Sequence, residues 1–158
     1  MASKLNIKRS LVLVGVLLFL LPSGVSGGGT LLPTGIQVAM DSKIPLTVRI
    51  KLQCGTESNV TLYKSQLPWG STYSIILVAV TANGQYLKKE LPIDDPSPEQ
   101  ITLDPKESIE GSIDLRKVFH NLDEVLKRSD VHLFWAYQAP SQLHIAPAGG
   151  WILIPQQE

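Results

Sequence analysis

Residues 94–111, DDPSPEQITLDPKESIEG, combine six carboxylates, three prolines and one lysine. A calcium loop needs oxygen ligands at alternate positions, a glycine at the bend and a final bidentate glutamate, and these acids do not follow that spacing. The residue before a proline avoids the helical region, so the Asp-Pro and Ser-Pro steps indicate turns. The segment therefore predicts two turns around two strands, QITL and ESIEGSIDL. An irregular cation site within residues 94–110 is the alternative.

A period of two is also clear in residues 44–54, IPLTVRIKLQC. Every even position is apolar, which predicts a strand with one buried and one exposed face. Cys54 shares the apolar phase and has no base beside it, so we expect a buried, inert thiol. It is the only cysteine in the chain, and no intrachain disulfide can form.

The remaining segments add further strands and one helix. Residues 73–82, YSIILVAVTA, are apolar on both faces, which predicts a central strand, and Asn83-Gly84 predicts a type I′ turn into QYLKKEL. A helix over 122–128 is expected, with Asn121 and Glu124 forming a capping box. NVTLYK, VHLFWAYQ and GWILI complete the strands, and Trp135 and Tyr137 are assigned to the core. The pattern predicts an all-β, immunoglobulin-like antiparallel β-sandwich of seven to nine strands, with one short helix inserted before the last strands.

The N-terminus has the layout of an export signal. Lys4, Lys8 and Arg9 precede an uninterrupted apolar run at 11–21, and Pro22 and small residues follow. This run is shorter than the ~20 residues that a membrane-spanning helix needs. We therefore expect a signal peptide at 1–27, with an uncleaved N-terminal anchor as the alternative. A flexible glycine-rich leader at 28–35 and a single domain at 36–158 would follow, in a secreted or periplasmic protein.

Charge restricts the classes of partner. Removing residues 1–27 takes three of the 14 Lys and Arg, leaving 11 against 14 Asp and Glu, a net charge near −3. A mildly acidic domain without a basic stripe is not expected to bind nucleic acid or an anionic membrane surface. Membrane attachment is expected only through an uncleaved N-terminal segment.

Signatures of catalysis are missing from the sequence. His120, His132 and His144 are twelve residues apart, in different predicted elements, and no pair has metal-ligand spacing. No GxSxG nucleophile elbow of hydrolases is found in the predicted domain at 36–158, and the HExxH and SxxK motifs do not occur. We therefore predict a protein that is not an enzyme and that has no metal or cofactor.

The strongest binding candidate is the aromatic segment 63–73, YKSQLPWGSTY. Tyrosine and tryptophan are frequent anchors of protein interfaces, and Pro68-Trp69-Gly70 places an indole on a turn. The alternative is that Trp69 folds back over the open end of the sandwich. The predicted binding residues are Tyr63, Pro68, Trp69 and Tyr73, and the predicted structural residues are Cys54, Asn83, Gly84 and Pro105.

The central part of the chain, about residues 48–119, resembles a known secreted module. SPEQITLDPKESIEGSIDL, with SQLPW and ANGQYL before it, is similar to the β-sandwich domain that precedes the catalytic part of deuterolysin-like and Lys-specific metalloendopeptidases. The resemblance implies a fold and an extracytoplasmic setting; no HExxH is present to receive a catalytic role. Lys106 replaces the glycine that is usual in the PGES turn, so another turn geometry is expected. A fainter similarity is to BsuPI-type proteinase inhibitors, also β-sandwiches.

Together these observations predict an exported, non-enzymatic binding or accessory module that contacts a protein partner through its loops. One alternative is a secreted proteinase inhibitor, which would use SQLPWGS or residues 139–150 as its exposed loop. The other is a cation-binding protein that uses the acidic residues of 94–110.

Overall fold

The computed structural model describes residues 35–90 and 98–157, which form eight strands and two short helices. The all-β prediction is confirmed, and the strand number lies within the expected range. The predicted signal peptide and all of the leader except Gly35 lie outside the described residues. In chain order the elements are β1 (Ile36–Met40), β2 (Thr47–Gln53), β3 (Val60–Tyr63), β4 (Ile76–Thr81), β5 (Gln100–Leu103), β6 (Ser108–Asp114), α1 (Leu115–Val118), α2 (Leu122–Leu126), β7 (Val131–Tyr137) and β8 (Ala148–Ile154).

The strands form three antiparallel sheets of a sandwich-like fold, with the orders β1-β2-β6, β3-β5 and β4-β7-β8. Alternate side chains of β2 and β7 point into one shared hydrophobic core, as the pleat requires. Trp135 and Tyr137 belong to this core, as predicted, and Cys54 is completely buried. Its most completely buried side chains include Val48, Ile50, Leu52, Val131, Leu133, Leu115, Phe119, Leu122 and Leu126.

The strand predicted from residue 44 begins later, at Thr47. Asp41 organises a turn before it, because its carboxylate accepts the N–H groups of Lys43 (2.7 Å) and Ile44 (3.1 Å). The Arg49 guanidinium donates to the same carboxylate at 2.6 Å. Leu46 then takes a positive φ of 54°, and Ile44 is left 55% exposed. The apolar alternation therefore continued by coincidence through a turn.

The hairpin after β4 differs from the prediction in two ways. Only Gly84 has a positive φ (86°), and the N–H of Gly84 donates to the Thr81 carbonyl at 2.9 Å, so the turn is not type I′. This is the arrangement of a three-residue hairpin loop with a glycine bulge. The returning chain makes only a short bridge from Tyr86 to Val80 before Lys89 pairs with Phe119. The segment predicted as the partner strand therefore pairs with β4 only at this bridge and then leaves the sheet.

The predicted helix over 122–128 is present as α2, which begins at Leu122 as expected and ends earlier, at Leu126, and a second short helix, α1, precedes it. The bridge between Lys89 and Phe119 ends α1, and the chain reverses at Asn121, which is left-handed with a φ of 60°. The Asn121 side chain makes no capping hydrogen bond, so the predicted capping box is wrong. Asparagine tolerates the left-handed region better than most residues, which accounts for its position here.

Lys106 adopts a left-handed backbone conformation in the turn between β5 and β6. Pro105 precedes it, Lys106 has a φ of 61°, and the N–H of Glu107 donates to the Asp104 carbonyl at 3.1 Å. Proline followed by a residue of positive φ is the pattern of a type II turn. Lys106 therefore occupies a left-handed position of the kind that usually favours glycine.

Replacing Lys106 by glycine is expected to stabilise the protein. A side chain in the left-handed region costs about 1–2 kcal/mol, of which the greater freedom of glycine in the unfolded chain offsets about half. We expect the free energy of unfolding to rise by about 0.5–1 kcal/mol in urea denaturation. Lys106→Ala is the control, because it removes the same exposed contact with Glu57 and keeps the strained Cβ; a gain of equal size in the alanine variant would contradict this explanation.

The Asp41 turn is expected to make stability depend on pH. The hydrogen bond from the Lys43 N–H, with a smaller effect of Arg49, holds the pKa of Asp41 below its usual 3.8. A depressed pKa contributes stability that is present above pH 3.8 and is lost as the pH falls through the folded-state value. Asp41→Asn should therefore lose less stability than the native protein on acidification below that pH. Parallel slopes of unfolding free energy against pH for the two proteins would disprove the assignment.

Candidate functional site

Two loops meet at one end of the β4-β7-β8 sheet and border a shallow, open groove of about 1130 Å³. The first loop, residues 63–75, contains the aromatic segment singled out from the sequence. The second, residues 138–148, overlaps the other loop considered for an inhibitor. The sheet itself supplies the floor through Ile76, Ala136 and Gly149.

The groove has an uncharged lining that mixes polar and apolar residues. None of its lining residues is Asp, Glu, Lys, Arg or His. Serine hydroxyls and glutamine amides both donate and accept hydrogen bonds, so this lining suits a ligand that carries both kinds of group and no net charge. The polar lining residues are Ser65, Gln66, Ser71, Tyr73, Ser74, Tyr137, Gln138, Ser141 and Gln142.

Internal hydrogen bonds hold the first wall of the groove in place. The Tyr137 hydroxyl donates to the Gln66 carbonyl at 3.0 Å, which joins β7 to the 3₁₀ turn Lys64–Gln66. Burial raises the pKa of Tyr137 to about 12, so this hydroxyl keeps its proton at any physiological pH. The Ser74 hydroxyl donates to the Ser65 carbonyl at 2.5 Å and closes the loop on itself.

The second wall is anchored by a buried leucine. Leu143 lies in the 3₁₀ turn Ser141–Leu143 and is fully buried, and its carbonyl accepts the N–H of Gly55 at 2.9 Å. His144 then takes a positive φ of 51°, which directs the chain back toward β8. Both walls are therefore held by the core, an arrangement that reduces the entropy lost when a ligand binds.

The four predicted binding residues do not form one cluster. Tyr73 is 65% exposed and lines the groove, whereas Tyr63 is exposed at the end of β3 and is not a lining residue. Pro68 is buried and Trp69 is half-buried. The structure thus places Tyr73 in the groove, and the roles of the other three residues in binding remain predictions.

Trp69 lies flat against the glycine of β6. A Cβ built on Gly111 would be 2.1 Å from the indole ring, so only glycine leaves room for this packing. A cavity of about 230 Å³ lies beside the indole, where the ammonium group of Lys89 donates to the Thr72 carbonyl at 3.1 Å. Burial lowers the pKa of Lys89. Trp69 is thus a half-buried residue that packs against the hydrophobic core.

A second surface, which the sequence analysis did not identify, is the outer face of the β4-β7-β8 sheet. β4 was predicted to be a central strand, but it lies at the edge of this sheet, where β7 is central. Its outer face is open: Ile76 is 58% exposed, and Trp151 of β8 is 64% exposed. The register places Val78, Phe134 and Trp151 in one row, with the rings of Phe134 and Trp151 5.1 Å apart. The full outer face consists of Ile76, Val78, Val80, Tyr86, His132, Phe134, Ala136, Gly149, Trp151 and Leu153.

The acidic segment has mostly internal partners. Glu99 pairs with Lys64 at 2.6 Å, the Glu107 carboxylate accepts the N–H of Asp104 at 2.7 Å, and Asp104 accepts from the Asn59 amide at 2.9 Å. Asp94 and Asp95 lie outside the described residues. In residues 35–90 and 98–157, no three His, Cys, Asp or Glu side chains are grouped as metal ligands. The described acids thus stabilise turns and strand ends.

Comparisons with known proteins add no family assignment. A scan against protein-family models finds no match to the chain, and a search of curated proteins finds no similar sequence. Among the helices of the described segments, none is long and apolar enough to span a bilayer.

The packing of Trp69 on Gly111 predicts a steric conflict. Gly111→Ala should displace the indole and lower the free energy of unfolding by about 1–3 kcal/mol, as overpacking does. The matched control is Ser112→Ala, which alters the next, exposed position of β6 and should be close to neutral. In a Trp69→Ala background the cost of Gly111→Ala should fall below about 0.5 kcal/mol, and an unchanged cost would show that the two residues are not coupled.

Proposed function

We propose that this chain is an exported, non-enzymatic binding module that holds an extended, uncharged segment of a protein partner in the groove. The observation that supports this most directly is the groove itself, an open channel without a charged side chain between two anchored loops. Export is proposed from the sequence of residues 1–27.

The chemistry of the lining fits a peptide backbone. An extended segment presents one N–H and one C=O per residue, and these groups need partners that donate and accept. Gln138 and Gln142 on one wall and Ser71 on the other offer both functions, and Tyr73 adds a flat apolar surface. The groove is slightly larger than the ~300–1,000 Å³ typical of a small-molecule pocket, and a segment of several residues fits this size.

The burial pattern of the loops does not favour the proteinase-inhibitor hypothesis. An inhibitory loop must present exposed side chains to the protease, but Leu67 and Pro68 at the centre of SQLPWGS are buried. Leu143 and Ile145 in the second loop also point into the core. The groove between the loops is concave, a shape suited to receiving a segment of a partner.

A charge placed in the groove should weaken peptide binding without affecting the fold. We expect Tyr73→Asp and Gln138→Glu each to lower the affinity for peptides by about tenfold or more, because an unpaired carboxylate loses hydration there. The peptides would be selected from a displayed random library on the immobilised protein, and titration calorimetry would give the affinities. Selected sequences should be poor in Asp, Glu, Lys and Arg.

The matched control for this experiment is Tyr63→Asp, which places the same charge on an exposed tyrosine outside the groove lining. Its affinity should equal that of the native protein, and all three variants should keep the native melting temperature. A library that yields no peptide, or peptides that bind the groove variants normally, would contradict the proposal. Binding of neutral oligosaccharides in place of peptides would also reject a protein partner.

A further inference from the structure

We propose that the floor of the groove is a subsite for one large apolar side chain of the bound segment, a leucine, isoleucine, methionine or phenylalanine. The inference rests on the proposed function, because it names the side chain that the groove would select in a protein partner. The floor is the row of Ile76, Ala136 and Gly149, which the strand register aligns across β4, β7 and β8. All three residues line the groove.

The floor is uneven, with a depression over Ala136 and Gly149. Ile76 stands at one side of the row and is 58% exposed, whereas Ala136 carries only a methyl group and Gly149 has no side chain. A Cβ built on Gly149 would lie 2.9 Å from the Trp135 carbonyl oxygen, closer than real Cβ atoms approach, so glycine keeps this part of the floor low. The depression is therefore imposed by the packing of β8 beside β7.

Two aromatic side chains border the depression. Residues two apart in a strand share a face of the sheet, so Phe134 lies next to Ala136 on β7 and Trp151 lies next to Gly149 on β8. The two ring centroids are 5.1 Å apart, and neither residue belongs to the groove lining, so the groove ends at this row. A side chain held in the depression would thus have Ile76 on one side and the aromatic pair on another.

The chemistry of the floor favours an apolar occupant. None of the three floor residues has a side-chain donor or acceptor, so a polar side chain placed there would lose water without gaining a partner. The serine hydroxyls and glutamine amides that could bind a peptide backbone belong to the two loops beside the floor. Successive side chains of an extended segment point to opposite sides, so one apolar side chain can enter the depression while its neighbours face solvent.

The test uses the full chain and peptides selected from the displayed library. The selected sequences should share one position that is enriched in leucine, isoleucine, methionine or phenylalanine. A selected peptide and its alanine variant at that position are then titrated against the native protein by calorimetry. The native protein should bind the selected peptide about tenfold or more tightly than the alanine variant, because apolar pockets discriminate side-chain size by at least this factor.

Filling the depression should remove this preference. We expect Ala136→Leu to reduce the ratio of the two affinities to about threefold or less, because its side chain occupies the space of the peptide side chain. Ala82→Leu is the control, the same change at an exposed alanine just after β4 ends, outside the groove lining, and it should keep the native ratio. Ile76→Ala removes one wall of the depression at an exposed position and should also reduce the ratio. It provides the test if the melting temperature shows that Ala136→Leu does not fold.

The outcomes separate this inference from the proposed function. Selected peptides without a shared apolar position, or a ratio that Ala136→Leu and Ile76→Ala leave at the native value, would overturn the inference while peptide binding itself still stands. A library that yields no binding peptide would reject the proposed function and the apolar subsite with it.

Discussion

Strand β7 is the constraint on which the rest of the structure depends. It pairs with β4 on one side and β8 on the other, and successive side chains point to opposite faces of the sheet. Val131, Leu133, Trp135 and Tyr137 enter the core, so the intervening residues must face outward whatever their chemistry. Phe134 and Ala136 are outward for this reason. The same strand carries the outer face in its middle and the floor of the groove at its end.

The groove is tied to this strand by Tyr137. The side chain is buried as part of the core, and its hydroxyl fixes the backbone of the first loop at Gln66. Leu143 anchors the second loop in the same core. Loops that are held in this way keep their shape without a ligand, which is a feature of binding sites on β-sandwich scaffolds. The uncharged lining therefore has a defined geometry as well as a defined chemistry.

The sequence predicted which face of each strand is buried better than it predicted the residues at which the strands begin and end. Periodicity located β2 and β7 because burial on one face leaves an alternating pattern. It extended β2 back to Ile44, because a turn built on Asp41 happened to keep the apolar phase. The left-handed residues Leu46, Lys106, Asn121 and His144 were not foreseen, since these conformations are imposed by tertiary packing on residues that do not prefer them.

The candidate surfaces were predicted less well, for a related reason. Tyr73 was identified as an aromatic residue on a loop, but the groove requires two loops distant in sequence, and only the fold brings them together. The two-sided apolar pattern of β4 was correctly detected and wrongly explained as that of a central strand, whereas β4 lies at the edge of its sheet. A strand has the same apolar pattern in the sequence whether its outer face is covered by the protein itself or is available for a partner. The signal that could have located this outer face was the set of apolar residues at the outward-facing positions of β4, β7 and β8 taken together.

The contact between Trp69 and Gly111 has an evolutionary consequence. The indole occupies the space where any other residue would place its Cβ, so the two positions are expected to change together. A relative that has lost the tryptophan is released from the need for glycine in β6, and one that keeps the tryptophan is not. This pairing joins residues more than forty positions apart in the sequence. It provides a marker of common descent that would persist after the turn and strand patterns, which unrelated β-proteins share, had become uninformative.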